Sequence, residues 1–261
     1  MRPLLFWVAV SVAAAVPRQA TAQTADNVLL VVNDSSAVSG QIGDYYARKR
    51  AVPSENVLHV PMPTADQISR AEYERAIETP VTRWFGRRRA QDRILYIVLT
   101  KDVPLRIAGT WGLEGTVASV DSELTLLYRR LTGTRTPILG RIDNPYFAGD
   151  TDVTLWRPFT HQSQDIFLVT RLDGFTVQDV IALIDRGLAP SGDGKIILDG
   201  KGTLIDRGGN ASLQHASTRL GSMGWQDRVV LDATSRVLTG ERNVLGYYSW
   251  GSNDPAIRIR H

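Results

Sequence analysis

Apolar residues along this chain follow two rhythms. Val28-Leu29-Leu30-Val31-Val32 and Ile94-Leu95-Tyr96-Ile97-Val98-Leu99 are continuous apolar runs of strand length, as in strands covered on both faces. Asn56-Val57-Leu58-His59-Val60 reads as another strand between them. Elsewhere the spacing turns helical. Ile42, Tyr45, Tyr46 and Lys49 share one helix face up to Arg50, where Pro53 breaks the pattern. Tyr73, Ile77, Val81 and Trp84 line the apolar face of a helix over 69–85, which Pro80 is expected to kink. After a long excursion the alternation resumes: strand 166–170, helix 176–188, strand 195–198, helix 212–223, and strands 229–231 and 244–248. The excursion, residues 101–164, is rich in Gly, Thr, Pro and Arg. It reads as an irregular insertion after the third strand, with one helix over 120–130. Alternating strands and helices predict an α/β fold: three layers, a mostly parallel sheet with helices on both faces, and a single domain over 23–261.

The N-terminus departs from that pattern. Arg2 precedes an apolar stretch over 4–16, and Ala20-Thr21-Ala22 is an A-x-A cleavage site. These features predict a signal peptide over 1–22, cleaved between Ala22 and Gln23, and a periplasmic or extracellular mature protein. The apolar stretch is shorter than the about 20 residues a spanning helix needs. No later run is longer, so no integral membrane segment is expected after cleavage.

Composition mostly excludes. The chain has no cysteine, which rules out disulfides, thiolate metal sites, a Cys nucleophile and a lipoprotein anchor. Residues 1–22 hold Arg2 and Arg18 and no acid, so cleavage lowers the formal charge from +3 to +1. Arg87-Arg88-Arg89 reads as a solvated turn after a helix, and no basic stripe is interleaved with aromatics. Nucleic acid is therefore not an expected partner. There is no G-x-G-x-x-G, P-loop or G-x-S-x-G, and the four histidines lack metal spacing, so no cofactor and no metal are expected. His59, inside a strand, is expected to be a packed core residue. Glu114, Asp121 and Glu123 form either a carboxylate group or, for the last two, acids favoured at a helix start.

Polar residues gather where the predicted strands end, the edge at which open parallel sheets bind ligands. Asn33, Asp34, Ser35 and Ser36 follow the first strand; Thr100, Lys101 and Asp102 the third. Arg171 and Asp173, then Asp199 and Lys201, then Ser249, Ser252, Asn253 and Asp254 follow later ones.

Three stretches together resemble an uncharacterised exported bacterial family that co-occurs with exosortase and its PEP-CTERM sorting system. They are Val31-Val32-Asn33-Asp34-Ser35-Ser36 with Asp44-Tyr45-Tyr46-Ala47-Arg48-Lys49-Arg50, then Ile97-Val98-Leu99-Thr100-Lys101-Asp102-Val103-Pro104-Leu105-Arg106, and Gly246-Tyr247-Tyr248-Ser249-Trp250-Gly251-Ser252-Asn253-Asp254. Members of that family continue past the last motif. Residues 255–261 also read as the start of a new element, so a truncated chain is expected. A fainter resemblance is to gingipain-type cysteine peptidases of the caspase-like fold, on Leu168-Val169-Thr170-Arg171-Leu172-Asp173-Gly174 and on Tyr247 to Ser252. Trp250 stands where their catalytic His would be, and an indole nitrogen only donates, so the peptidase mechanism does not carry over.

The expected function is thus an exported accessory protein, not a cysteine peptidase. It would bind a small ligand or peptide at the carboxyl edge of its sheet, with envelope sorting components as partners. The expected site is Asn33, Asp34, Ser36, Lys101, Ser249, Trp250, Asn253 and Asp254, with no catalytic residue assigned. Two alternatives stay open. One is a hydrolase using Ser249 or Ser252, with Asp254 as acid and a desolvated Lys101 as base. The other is a non-binding scaffold.

Overall fold

The computed structural model describes residues 23–133, 142, 158–189, 192–200, 207–234, 238 and 240–249. The expected signal peptide, the 190–191 and 201–206 links, Trp250, Ser252, Asn253, Asp254 and the stretch 255–261 lie outside them. The chain divides after Asp173 into two compact units.

The first unit contains β1 (Val28–Asn33), α1 (Ala37–Arg50), β2 (Val57–Val60), β3 (Gln67–Ile68), α2 (Arg70–Tyr73), α3 (Thr79–Arg88) and β4 (Tyr96–Thr100). It continues with β5 (Arg106–Ile107), β6 (Ala118–Ser119), α4 (Val120–Thr132) and β7 (Leu168–Leu172). Its main sheet runs β2-β1-β4-β7 with every pair parallel. A small sheet, β3-β5-β6, is parallel on one side and antiparallel on the other. The segment from Lys101, expected to be irregular but for one helix, thus contributes two short strands as well.

Burial explains the apolar runs. Leu29, Val31, Ile97 and Leu99 are fully buried and share a core with Tyr73, Ile77, Val81 and Phe85 from the α2–α3 side and with Leu124 and Leu127 of α4. Leu30, Val32 and Val98 alternate onto the other face and are also buried. There α1 lies over β1 and β4. Its Gly43 makes the approach close, since a Cβ at that position would sit 2.6 Å from Val32 Cγ2. Helices on both faces of a parallel sheet give the three layers expected from the alternation.

The helix over 69–85 begins at a capping box, with Ser69 and Glu72 each accepting from the other's backbone N–H. Just before Pro80 the chain widens into a π turn over Glu74–Glu78. Pro80 has no N–H for the Ala76 carbonyl and its ring crowds that group, and the wider turn just before it relieves the clash. Glu123 of α4 is buried and lies between Arg70 (2.8 Å) and Arg130 (2.7 Å), the latter also reaching Glu78 (2.6 Å).

Tyr128, also on α4, donates to Asp92 at 2.7 Å. Burial first, then that hydrogen bond, pushes its phenol up to about 12. Unfolded tyrosine ionises near about 10. A raised folded value means the contribution is full below about pH 10 and is lost as pH rises through about 12. Tyr128→Phe should therefore flatten the alkaline loss of stability across that window, measured by urea unfolding at stepped pH. An unchanged alkaline slope would count against the assignment.

The second unit contains α5 (Val177–Leu188), β8 (Lys195–Asp199), α6 (Arg207–Leu220), β9 (Val229–Asp232) and β10 (Val244–Ser249). Its sheet, β10-β8-β9, is again parallel throughout. Thr176 and Asp179 form the capping box that starts α5.

Candidate functional site at the carboxyl edges

Each parallel sheet has a topological switch point. From β1 the chain steps to β2 on one side and later to β4 on the other. From β8 it steps to β9 on one side and to β10 on the other. Connections diverge at such points and leave room beyond the carboxyl ends of the strands.

In the first unit that edge is built around Asn33, the last residue of β1 and fully buried. Its Nδ2 donates to the carbonyls of Asp102 (2.7 Å) and Pro63 (3.4 Å). Its Oδ1 accepts from the backbone N–H of Ser35 (2.9 Å) and Met62 (3.0 Å). An amide side chain has two donor hydrogens and two acceptor lone pairs, so Asn33 is saturated by the protein. It is a structural tie between three turns and has nothing left for a ligand.

Ser36 is almost as fully engaged. Its Oγ caps α1 by accepting from Ser39 N (3.1 Å) and donates to Asp102 Oδ2 at 2.5 Å. Asp102 itself sits in the left-handed region with φ 66°, a conformation that a short polar residue tolerates. Asn33 holds its carbonyl and Ser36 its carboxylate. Below them Ser39 Oγ meets Thr100 Oγ1, which donates to the Val31 carbonyl (3.2 Å). Beside this turn Arg171 grips both oxygens of Asp121 through Nε, each at 2.9 Å, and donates to the carbonyls of Val103 and Pro104, both at 2.7 Å.

The rim above this layer is exposed. Asp34 and His59 are each 46% exposed and paired, Oδ1 to Nδ1 at 2.7 Å. With the carboxylate accepting, the proton of this hydrogen bond sits on Nδ1, and in the neutral form of the ring Nε2 is then the acceptor. His59 is therefore not the packed core residue expected from its strand. Leu58 and Val60 take the core side of β2, so alternation sends His59 to the other face, where α1 covers β1 and β4 rather than the edge strand. Across the sheet Lys101 Nζ lies 2.8 Å from Asp173 Oδ1. That hydrogen bond holds the ammonium above its usual range, against a smaller opposing effect of burial. An ammonium so held cannot take a proton near neutral pH, which removes Lys101 as the base of the hydrolase alternative.

Ser249 belongs to the second unit. It ends β10 in register with Asp199 of β8, which in turn faces Asp232 of β9. Asp199 is buried and accepts a hydrogen bond from the Tyr247 hydroxyl. Trp250, Asn253 and Asp254 lie outside the described residues. The structure thus brings Asn33, Asp34, Ser36 and Lys101 to one edge, and Ser249 to the corresponding edge of the other sheet.

Glu114, Asp121 and Glu123 do not form a carboxylate group. Asp121 is held by Arg171, Glu123 by Arg70 and Arg130, and Glu114 is exposed on a loop. No three acidic or histidine side chains converge as a metal site among the described residues. No helix among them is long and apolar enough to cross a membrane. His161 is structural: it stacks on Tyr128 at 3.9 Å between centroids, with Nε2 2.6 Å from the Ile94 carbonyl.

No family model, curated protein or solved structure matches this chain.

Proposed function

We propose that this chain is an exported accessory protein that binds a ligand or peptide at the carboxyl edge of its sheets, in the service of exosortase/PEP-CTERM envelope sorting. The observation that carries the reading is the division of the first edge into two layers. Asn33, Ser36, Ser39 and Thr100 are consumed in holding the turns. Asp34, His59, Lys101 and Asp173 stand above them on a rigid base, with side chains presented to solvent. Rim groups fixed by a saturated layer beneath are what a polar recognition surface requires.

A second reading draws on the Asp34–His59 pair alone. A carboxylate that orients an imidazole by its Nδ1 proton leaves Nε2 ready to take a proton from water or a hydroxyl, the base half of a hydrolase. No serine hydroxyl bonds to His59 among the described residues, so binding without chemistry is preferred.

The test uses protein recovered from the periplasm and confirmed by N-terminal sequencing to begin at Gln23. It is passed over immobilised PEP-CTERM tail peptide and a scrambled peptide. Selective binding is expected. His59→Ala combined with Asp34→Ala should weaken it about 10-fold or more, because two hydrogen-bonding groups are removed from the rim. Unfolding free energy should change by under about 1 kcal/mol, since both side chains are half-exposed. Equal binding to both peptides, or full binding by the double variant, would reject the assignment. Peptide cleavage that disappears with His59 would favour the hydrolase instead.

A further inference from the structure

Charge is unevenly placed along the first sheet. Parallel strands need helices that run back against them, so α1 ends where β2 begins and α3 ends where β4 begins. Arg48-Lys49-Arg50 close α1, and Arg87-Arg88 close α3 with Arg89 just beyond. The two helices cover opposite faces of the sheet, so one basic run emerges on each side of its amino end. Hydrogen bonds tie the segments of this end together. Arg93 donates to the Asp26 carbonyl (2.7 Å) and to Asn56 Oδ1 (3.1 Å), and Trp84 Nε1 donates to the Glu55 carbonyl (3.1 Å).

Residues 24–27, 48–56 and 87–93, which make this end, hold seven Lys and Arg against three carboxylates. The chain from Gln23 onward is formally only +1, so the remainder of it is net negative. Arg48, Lys49, Arg87, Arg88 and Arg89 are all exposed. Among the described residues no carboxylate forms an ion pair with Arg48, Arg87, Arg88 or Arg89. Asp92, the acid nearest in sequence to Arg89, instead accepts from the Tyr128 hydroxyl. A helix dipole accounts for cations within each last turn. It does not account for Arg89, which follows α3 in left-handed backbone at φ 49°, where glycine costs least.

We infer that this basic end docks on an anionic phospholipid bilayer, with Arg48 and Lys49 from one face and Arg87, Arg88 and Arg89 from the other meeting lipid phosphates. Guanidinium suits phosphate in geometry, and a bilayer is broad enough to meet both runs at once, as a single small anion is not. Chain direction favours membrane over nucleic acid. Residues 24–27 belong to this end, so the apolar run over 4–16 enters the domain here. A chain brought to a bilayer by that run turns this end toward the headgroups. The surface is independent of the carboxyl-edge rim and stands whether or not that rim binds anything.

Vesicle sedimentation tests it with the chain beginning at Gln23, so that the apolar run itself cannot bind lipid. Vesicles of phosphatidylcholine with phosphatidylglycerol should bind about 10-fold or more tightly than phosphatidylcholine alone, and less tightly as salt rises. Each cation near such a surface is worth about 5-fold in binding. Arg87→Gln combined with Arg89→Gln should therefore weaken it about 10-fold or more, and Arg48→Gln, on the other face, about 5-fold. Arg75→Gln is the control: Arg75 is exposed in the π turn, about 20 Å back along the same helical run, and its loss should change nothing. Thermal unfolding checks that each variant is folded, and Arg48→Gln decides alone if the double variant is not. Equal binding to both vesicles, full binding by the arginine variants or an equal loss from Arg75→Gln overturns the inference. So does tighter binding to a random-sequence DNA duplex than to the anionic vesicles at the same salt.

Discussion

Asn33→Ala is expected to lower the unfolding free energy by about 3–5 kcal/mol, several times what an ordinary surface substitution costs. The change deletes four hydrogen bonds at once. It leaves the Ser35 and Met62 N–H groups and the Asp102 and Pro63 carbonyls to find other partners. Each buried polar group left unpaired costs about 1–3 kcal/mol, and the longer Pro63 bond contributes least. Asn33→Asp should be nearly as damaging, because a carboxylate oxygen would then face two carbonyls where an NH₂ had donated. Asp34→Asn, one residue along, should shift stability by under about 1 kcal/mol, since Asp34 is half-exposed and its partner His59 is too. Urea unfolding of the three variants gives the comparison. A loss below about 1 kcal/mol for Asn33→Ala would mean that the turns hold without it, and would leave Asn33 free to serve a ligand.

Phe167→Ala should cost a similar amount, about 3–5 kcal/mol, for a different reason. Phe167 is fully buried and stacks on Phe85 at 4.8 Å between centroids. It also meets the edges or faces of Tyr128 and His161, each at 5.4 Å. Its backbone N–H donates to the Thr125 carbonyl (3.0 Å), tying the approach to β7 to α4. Truncation removes a large apolar surface and leaves a cavity walled by rings that cannot easily collapse into it. Phe175, exposed at the start of the second unit, is the control: Phe175→Ala should cost under about 0.5 kcal/mol. Equal effects from the two substitutions would mean that the aromatic cluster does not hold the first unit together.

The main elements are legible in the sequence because their causes are local. Val28 to Val32 and Ile94 to Leu99 read as strands covered on both faces, and the residues on both sides of β1 and β4 are buried. Ser36, Ser69, Ser119 and Thr176 stand one residue before helices and cap them, as their hydroxyls dictate. The two-residue strands β3, β5 and β6 are not legible in the same way. Nothing within a pair of residues distinguishes a strand from a loop, and these form only because Gln67, Arg106 and Ser119 meet across the fold.

At the site, Asn33, Asp34, Ser36 and Lys101 are legible as residues of the first carboxyl edge and Ser249 as one of the second, because strand ends and the polar turns after them are sequence-local. The sequence could not say which of them would be spent. Asn33 and Asp34 are neighbours of similar size and polarity. One is buried with every hydrogen-bonding position filled, and the other faces water beside His59. The difference comes from residues far along the chain, Met62, Pro63 and Asp102, whose backbone groups converge on the end of β1. Strand order likewise decided the role of His59: on a central strand its face would be covered, and on the edge strand β2 it is open. Polarity and local conformation are written residue by residue. Burial, pairing and the saturation of a side chain are properties of what the fold brings alongside, and only the tertiary structure decides them.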